Sequence, residues 1–280
     1  MEIHHYTRAS TLPLILQSGK IRFTRSDQLD DLAELPFETF HLSRQAYFIN
    51  SWVKSTVEIS GQWYRYADQH RGVRLSFKSF PFPKNKLQLE LSRPYKAKDG
   101  KLKKVGFSLT DTPAPFVKTT MFGKGFVLVP WADEESFGGD VLYVKDPTSY
   151  VKQFVRSTPE RTDITGGSRL CRIKAAHWED QSEFRFALMA IRGPELTYED
   201  NPDEYEHELL NLLEKWYSSG TGALPPELPF IDLPIETSML DHMIVTLGSG
   251  ISDKDREAVM QAVQRYAPNA TVLESAIRAR

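Results

Sequence analysis

Two stretches of this chain carry side chains suited to chemistry rather than to plain packing. The first is His4-His5-Tyr6-Thr7, followed one helix-length later by Gly19-Lys20-Ile21-Arg22-Phe23. A structural strand would show simple apolar alternation. Two histidines, a tyrosine and a threonine, re-approached by an arginine-bearing second strand, are residue types that line a cleft. The second stretch is His177-Trp178-Glu179-Asp180-Gln181-Ser182-Glu183-Phe184-Arg185-Phe186. With 183–191 as a strand, Glu183 and Arg185 share one face while Phe184 and Phe186 share the other. A carboxylate and a guanidinium then project together from a sheet whose opposite face is core. Either a structural ion pair or a functional pair satisfies that pattern.

Other chemistries find less support. The single Cys171 rules out an internal disulfide framework and a cysteine-rich zinc site, and it lacks an activation motif. No HExxH or Gly-x-Ser-x-Gly motif occurs, and adjacent His4 and His5 point to opposite faces of a strand, so no tightly bound metal is expected. Gly248-Ser249-Gly250 lies between a strand and a helix, but it has neither GxGxxG nor a P-loop lysine in register. An ordinary turn accounts for it better than a phosphate loop.

These residues must be positioned by regular elements. Residues 2–7 read as a strand, and Ser10 or Thr11 can cap a helix carrying Leu12, Ile15 and Leu16 that ends at Gly19. Residues 20–24 follow as a second strand with Arg22 opposite Ile21 and Phe23. Residues 26–43 are acidic and irregular, with Asp27, Asp30, Asp31, Glu34 and Glu38, before strand character at 46–49. A helix over 58–67 places Trp63, Tyr66 and Ala67 at helical spacing, and strand 73–77 carries Arg74. Residues 81–104 read as a hairpin with a charged tip holding Arg93, Lys96, Lys98, Lys101, Lys103 and Lys104, the alternative being a nucleic-acid contact. Further strands are expected at 126–130, 140–144, 172–176 and 183–191, with a helix at 147–155 and a polar excursion at 158–168. The helix at 204–217 has Leu209, Leu212, Leu213 and Trp216 on one face. A Pro-rich connection at 224–234 then leads to strand 243–247, a helix at 252–266 capped by Ser252 with Asp255, and strand 270–273.

The chain of 280 residues is 40% hydrophobic with 16 Phe, 11 Tyr and 5 Trp, enough apolar area for a packed core. Its 35 basic and 37 acidic residues give a net charge of −2, so no global field draws it to nucleic acid or anionic lipid. No run approaches the roughly 18 apolar residues of a membrane helix, and the amino terminus lacks a basic flank followed by a long apolar run, so neither secretion nor a membrane span is expected. A cytoplasmic location is expected. The fold class is α+β: a mixed, largely antiparallel sheet flanked by helices, with a C-terminal β–α–β appendage. One elaborated domain over 1–280 is expected, divisible into a core at 1–222 and a subdomain at 223–280.

His5-Tyr6-Thr7, Gly19 to Phe23, Asp30-Asp31 with Glu34, Trp63 to Ala67, Gly72-Val73, and Trp178 with Glu183 and Arg185 occur in an order that resembles the bacterial domain-of-unknown-function family 2971. The chain departs from that family at Asp30, where Asn is common, and at Gln181, where an acid stands. More distantly it resembles the ADP-ribosyltransferase superfamily, which implies a split sheet and NAD as substrate. The resemblance implies His5 as ribose anchor and Glu183 as catalytic carboxylate, with Trp63 or Tyr66 stacking on nicotinamide. It places Tyr6 and Thr7 in the binding strand and offers Arg22, Arg74 or Arg185 to neutralise the pyrophosphate. It further implies a macromolecular acceptor and, for a toxin or anti-phage effector, an antitoxin partner. The rival expectation is a non-catalytic nucleotide- or partner-binding module of a bacterial defence or stress system.

Overall fold

The computed structural model describes residues 2–31, 35, 43–97, 99–130, 137–158, 162–165 and 167–278. Glu34 and Glu38 of the acidic segment and Lys98 of the hairpin tip lie outside these. Strand β1 (Ile3–Thr7) leads into helix α1 (Leu12–Ser18), which stops at Gly19 because a φ of 63° lets that N–H donate to the Ile15 carbonyl at 2.8 Å. No side-chain cap opens α1; Thr11 precedes it without that bond. Then come β2 (Lys20–Arg25), β3 (Tyr47–Val53), α2 (Ser60–Tyr66), β4 (Val73–Phe77) and the hairpin β5 (Asn85–Lys96) and β6 (Leu102–Ala114). After them follow α3 (Lys118–Met121), β7 (Phe122–Gly123), β8 (Phe126–Val129), β9 (Gly138–Asp140), β10 (Leu142–Val144), α4 (Pro147–Val151), β11 (Val155–Ser157), β12 (Thr162–Ile164), β13 (Ile173–Ala175) and β14 (Glu183–Arg192). The chain closes with α5 (Pro202–Ser219), β15 (Phe230–Pro234), α6 (Thr237–Asp241), β16 (Ile244–Leu247), α7 (Asp253–Tyr266) and β17 (Thr271–Glu274).

The main sheet has 11 strands, ordered β17-β16-β4-β1-β3-β14-β8-β7, with β2 and β15 joined through β3 and β9 joined to β14. Within it only β16 and β17 run parallel, so the fold is mixed α+β with a largely antiparallel sheet. One edge of β3 carries β14 along its whole length, from Tyr47↔Met189 to Val53↔Glu183. Its other edge is shared. Val53 meets His4 of β1, whereas Ile49 and Phe48 meet Thr24 and Arg25 of β2, and Asn50, Ser51 and Trp52 pair with neither strand on that side. The sheet therefore splits there.

Strand alternation assigns the two faces. Trp52, Phe77 and Phe186 lie on one face with Phe82 and Phe137, ring centroids 4.8 to 6.1 Å apart, and buried residues of α1, α5 and α7 complete this core. The opposite face carries two smaller apolar clusters. One gathers Tyr47, Ile49, Ala187 and Val151, the other Tyr6, Val53, Trp63 and Ala67. Between them stand the polar side chains of Ser51, Glu183 and Arg185.

The structure corrects several expectations. The C-terminal β–α–β unit forms, with Ser252 accepting from the Asp255 N–H at 3.1 Å, yet it is no appendage: β16 pairs with β4 at Val245↔Leu75, inside the main sheet. The connection at 224–234 contains β15, which pairs with β2 at Ile231↔Phe23. The hairpin is longer than expected and buries Leu87, Leu89, Leu91 and Tyr95 in the main core, while Arg93 bonds Asn211 and Glu214 of α5.

The C-terminal unit also holds α2. Glu58, just before α2, accepts from Trp63 Nε1 at 2.8 Å, from Ser275 Oγ at 2.6 Å and from the Ala276 N–H at 2.9 Å. After α2, Asp68, Gln69 and His70 are consecutive residues in the left-handed region, with φ of 48°, 54° and 69°. Gly248 lies against this turn, where a Cβ would stand 2.1 Å from the His70 carbonyl oxygen. Gly248→Ala should therefore destabilise the fold by about 1–3 kcal/mol. Gly61→Ala, whose Cβ would meet nothing closer than 3.9 Å, should be neutral within about 1 kcal/mol. Thermal melting of the two variants tests this contrast; equal melting temperatures would contradict the packing described.

Candidate functional site

A cavity of ≈ 710 Å³ opens where β1 and β2 diverge from β3. Its volume lies within the range of small-molecule sites. Side-chain bridges take the place of missing ladder bonds across this gap. His5 Nδ1 donates to the Ser51 carbonyl oxygen at 3.0 Å, tying β1 to β3. Asn50 Nδ2 donates to the Arg22 carbonyl oxygen at 2.9 Å, tying β3 to β2. The Asn50 Oδ1 in turn accepts from Trp52 Nε1.

Because a carbonyl only accepts, the His5 bond places the proton on Nδ1 and leaves Nε2 as an acceptor. Burial lowers the His5 pKa and outweighs the opposing effect of the Ser51 contact, so the ring is neutral. It also packs against Trp52 with centroids 5.2 Å apart. His4 points to the other face and is internally satisfied, Nε2 to the Ser55 carbonyl at 2.7 Å and Nδ1 to Ser76 Oγ at 2.8 Å. Burial keeps it neutral as well.

Glu183 lines the far wall and is 7% exposed. Its Oε1 accepts from Arg185 Nε at 3.2 Å; Oε2 accepts from Arg185 Nη2 at 3.0 Å and from Lys174 Nζ at 3.1 Å. Burial alone would raise its pKa, but Arg185 and Lys174 prevail and hold it at about 2, so the carboxylate is ionised. Arg185 donates further to the Cys171 carbonyl at 3.0 Å. Lys174 reaches Gln181 Oε1 at 2.7 Å and sits over the Trp178 ring at 5.0 Å. Gln181 Nε2 donates to Tyr66 Oη at 3.3 Å, and Gln62 Nε2 donates to the Gln181 carbonyl at 2.9 Å. The amide at 181 both accepts from a lysine and donates to a phenol, which a carboxylate could not do. Burial first, then the charges of Glu183 and Asp30, push the Tyr66 phenol up to about 12.

Six of the nine residues expected at the site line this cavity: His5, Tyr6, Thr7, Arg22, Tyr66 and Glu183. Trp63 does not. It is fully buried beneath Tyr6 in a T-shaped contact and stacked on His70, so it is a core residue and not a stacking platform. Arg74 sits opposite Tyr6 in the β1–β4 ladder and donates to Thr246 Oγ1 at 3.2 Å, away from the cavity. Arg185 is not among the residues lining the cavity but bonds Glu183, which is. Sequence reasoning missed Arg8, Asn50, Ser51 and Gln62 in the lining, and Lys174 behind it. The adjacent polar residues Asn50 and Ser51 in an otherwise apolar strand were the available signal.

No protein-family model matches the chain, and no curated protein and no solved structure matches it either. Among the described residues no helix is long and apolar enough to cross a membrane, and no group of three or more His, Cys, Asp or Glu gathers as a metal site.

Two stability effects follow. Glu183→Gln leaves two cations beside an uncharged amide in a buried site and should cost about 3–5 kcal/mol in denaturant unfolding; a loss below about 1 kcal/mol would contradict the network. Both His4 and His5 have folded pKa values below their ordinary 6.5, so the unfolded chain takes up protons first. Their contribution is complete above pH 6.5 and falls as the pH drops below it, by at most about 1.4 kcal/mol per unit for each ring. The Glu183 contribution is kept until the pH falls below 4.5 and is then lost towards about 2. Unfolding at pH 7.5 and 5.5 checks the histidine effect; greater stability at 5.5 would contradict it.

Proposed function

We propose that the split-sheet cleft is a nucleotide site at which an ADP-ribosyltransferase-like enzyme of the family 2971 type transfers ADP-ribose from NAD to a macromolecule, as a toxin or anti-phage effector. The observation that carries this reading is the convergence of the neutral His5 ring, Tyr66 and the ionised Glu183 on one cavity at the split. NAD as substrate supplies a glycosidic bond that breaks with nicotinamide leaving on the bonding pair; the acceptor's O–H or N–H group forms the new bond and gives up its proton. Positive charge developing at the ribose carbon is stabilised by a fixed carboxylate, and Glu183 is ionised and held in place by Arg185 and Lys174. The His5 Nε2 can accept from a ribose hydroxyl, and the partly exposed Tyr66 offers a ring face. Trp63 and Arg74 have no part in this reading.

One observation favours a second reading. Both carboxylate oxygens of Glu183 already accept hydrogen bonds from cations, which suits a rigid wall of a non-catalytic nucleotide- or partner-binding module. Nicotinamide release separates the two. Folded wild-type protein incubated with adenylate-labelled NAD and cell extract should release nicotinamide and label nucleic acid or protein. His5→Ala should cut NAD affinity about ten-fold, the worth of one good hydrogen bond, with little change in circular dichroism. Binding without release or transfer would leave the binding module, and absence of NAD binding would overturn the transferase reading.

A further inference from the structure

The cleft needs a cation for any anionic ligand, and resting on the nucleotide reading above, the structure directs that role away from the arginines expected to fill it. Arg185 is buried against Glu183, and Arg74 does not line the cavity. Arg22 lines it, but its Nε and Nη2 form a two-bond fork with Asp232 at 2.9 and 3.0 Å, and its guanidinium lies 3.4 Å over the Phe230 ring. Two of its five N–H donors are therefore engaged and its charge is compensated by Asp232. Arg8 differs. It follows directly on β1, lines the same cavity and is exposed, and no acidic side chain among the described residues lies within ion-pair distance of it. The Arg8 carbonyl accepts from the Thr11 N–H at 3.0 Å, which holds the backbone in a 3-10 turn at the cavity wall. Thr7 and Thr11, whose hydroxyls both donate and accept, line the cavity on either side of it in sequence.

We propose that Arg8, with the hydroxyls of Thr7 and Thr11, forms the phosphate-binding end of the cleft, while Arg22 only fixes β2 to β15. A guanidinium outside any ion pair can offer two parallel N–H donors to phosphate oxygens without first breaking a salt bridge. Arg8 is exposed, so a phosphate group held there stays near solvent.

Calorimetric titration of the full chain with inorganic pyrophosphate, and separately with NAD, tests this. Wild type should bind pyrophosphate, with pyrophosphate competing against NAD. Arg8→Ala should weaken both ligands about ten-fold or more, as expected for a charge-assisted contact, with unchanged melting because the side chain is exposed. Arg265→Ala, a surface control on α7, should bind like wild type. No pyrophosphate binding by wild type, an unaffected Arg8→Ala, or an equal loss in Arg265→Ala would overturn the proposal. Arg8-dependent pyrophosphate binding without NAD binding would support the anion site and remove the NAD reading instead.

Discussion

Strand β3 must satisfy its backbone on an edge shared by two diverging neighbours, and this constraint shapes the rest of the molecule. Between Val53, which meets β1, and Ile49, which meets β2, the ladder is interrupted. Unpaired main-chain groups in a sheet interior are costly unless partnered. Here His5 donates to the Ser51 carbonyl and Asn50 donates to the Arg22 carbonyl, so side chains span a gap that strands do not. The gap stays open and becomes a cavity. Its chemistry follows from the same bonds, since the His5 contact selects the tautomer that keeps Nε2 as an acceptor.

The opposite edge of β3 supplies rigidity. The ladder with β14 sets Glu183 and Arg185 opposite Val53 and Ser51, on the face away from the aromatic core. The carboxylate, two cations, Gln181, Tyr66 and Gln62 then join one hydrogen-bonded network that reaches α2. Helix α2 is braced from outside by the C-terminal unit, through Glu58 before it and the left-handed turn at 68–70 after it. The C-terminal strands thus support the cleft wall although they line none of it.

Much of this was legible from residue types. The alternation of Glu183 with Phe184 predicted which face is core, and Gly19 predicted the end of α1, because both depend on local periodicity and backbone freedom. Trp63 and Arg74 were misplaced for a common reason: a strand or helix pattern gives a face but not whether that face meets a cavity or another element. Trp63 falls on the face of α2 that meets Tyr6, and Arg74 on the α2 side of β4. The strand β15 was hidden by the prolines around it, at 225, 226, 229 and 234, since proline argues against a ladder position unless the strand lies at an edge. The sheet split itself is a long-range property. Asn50 and Ser51 looked like the end of a strand at 49, whereas they are the middle of one whose partners diverge.

The most direct test is hydrogen exchange measured by mass spectrometry with and without saturating NAD. Closure of the cleft around a nucleotide should slow exchange in β1 and the Arg8 turn, β2, the edge of β3 at 49–53 and α2. The cavity around Arg192 and Glu227, remote in the fold, should be unaffected. Protection confined to the split would support the account; no protection anywhere, or protection only around Arg192 and Glu227, would contradict it.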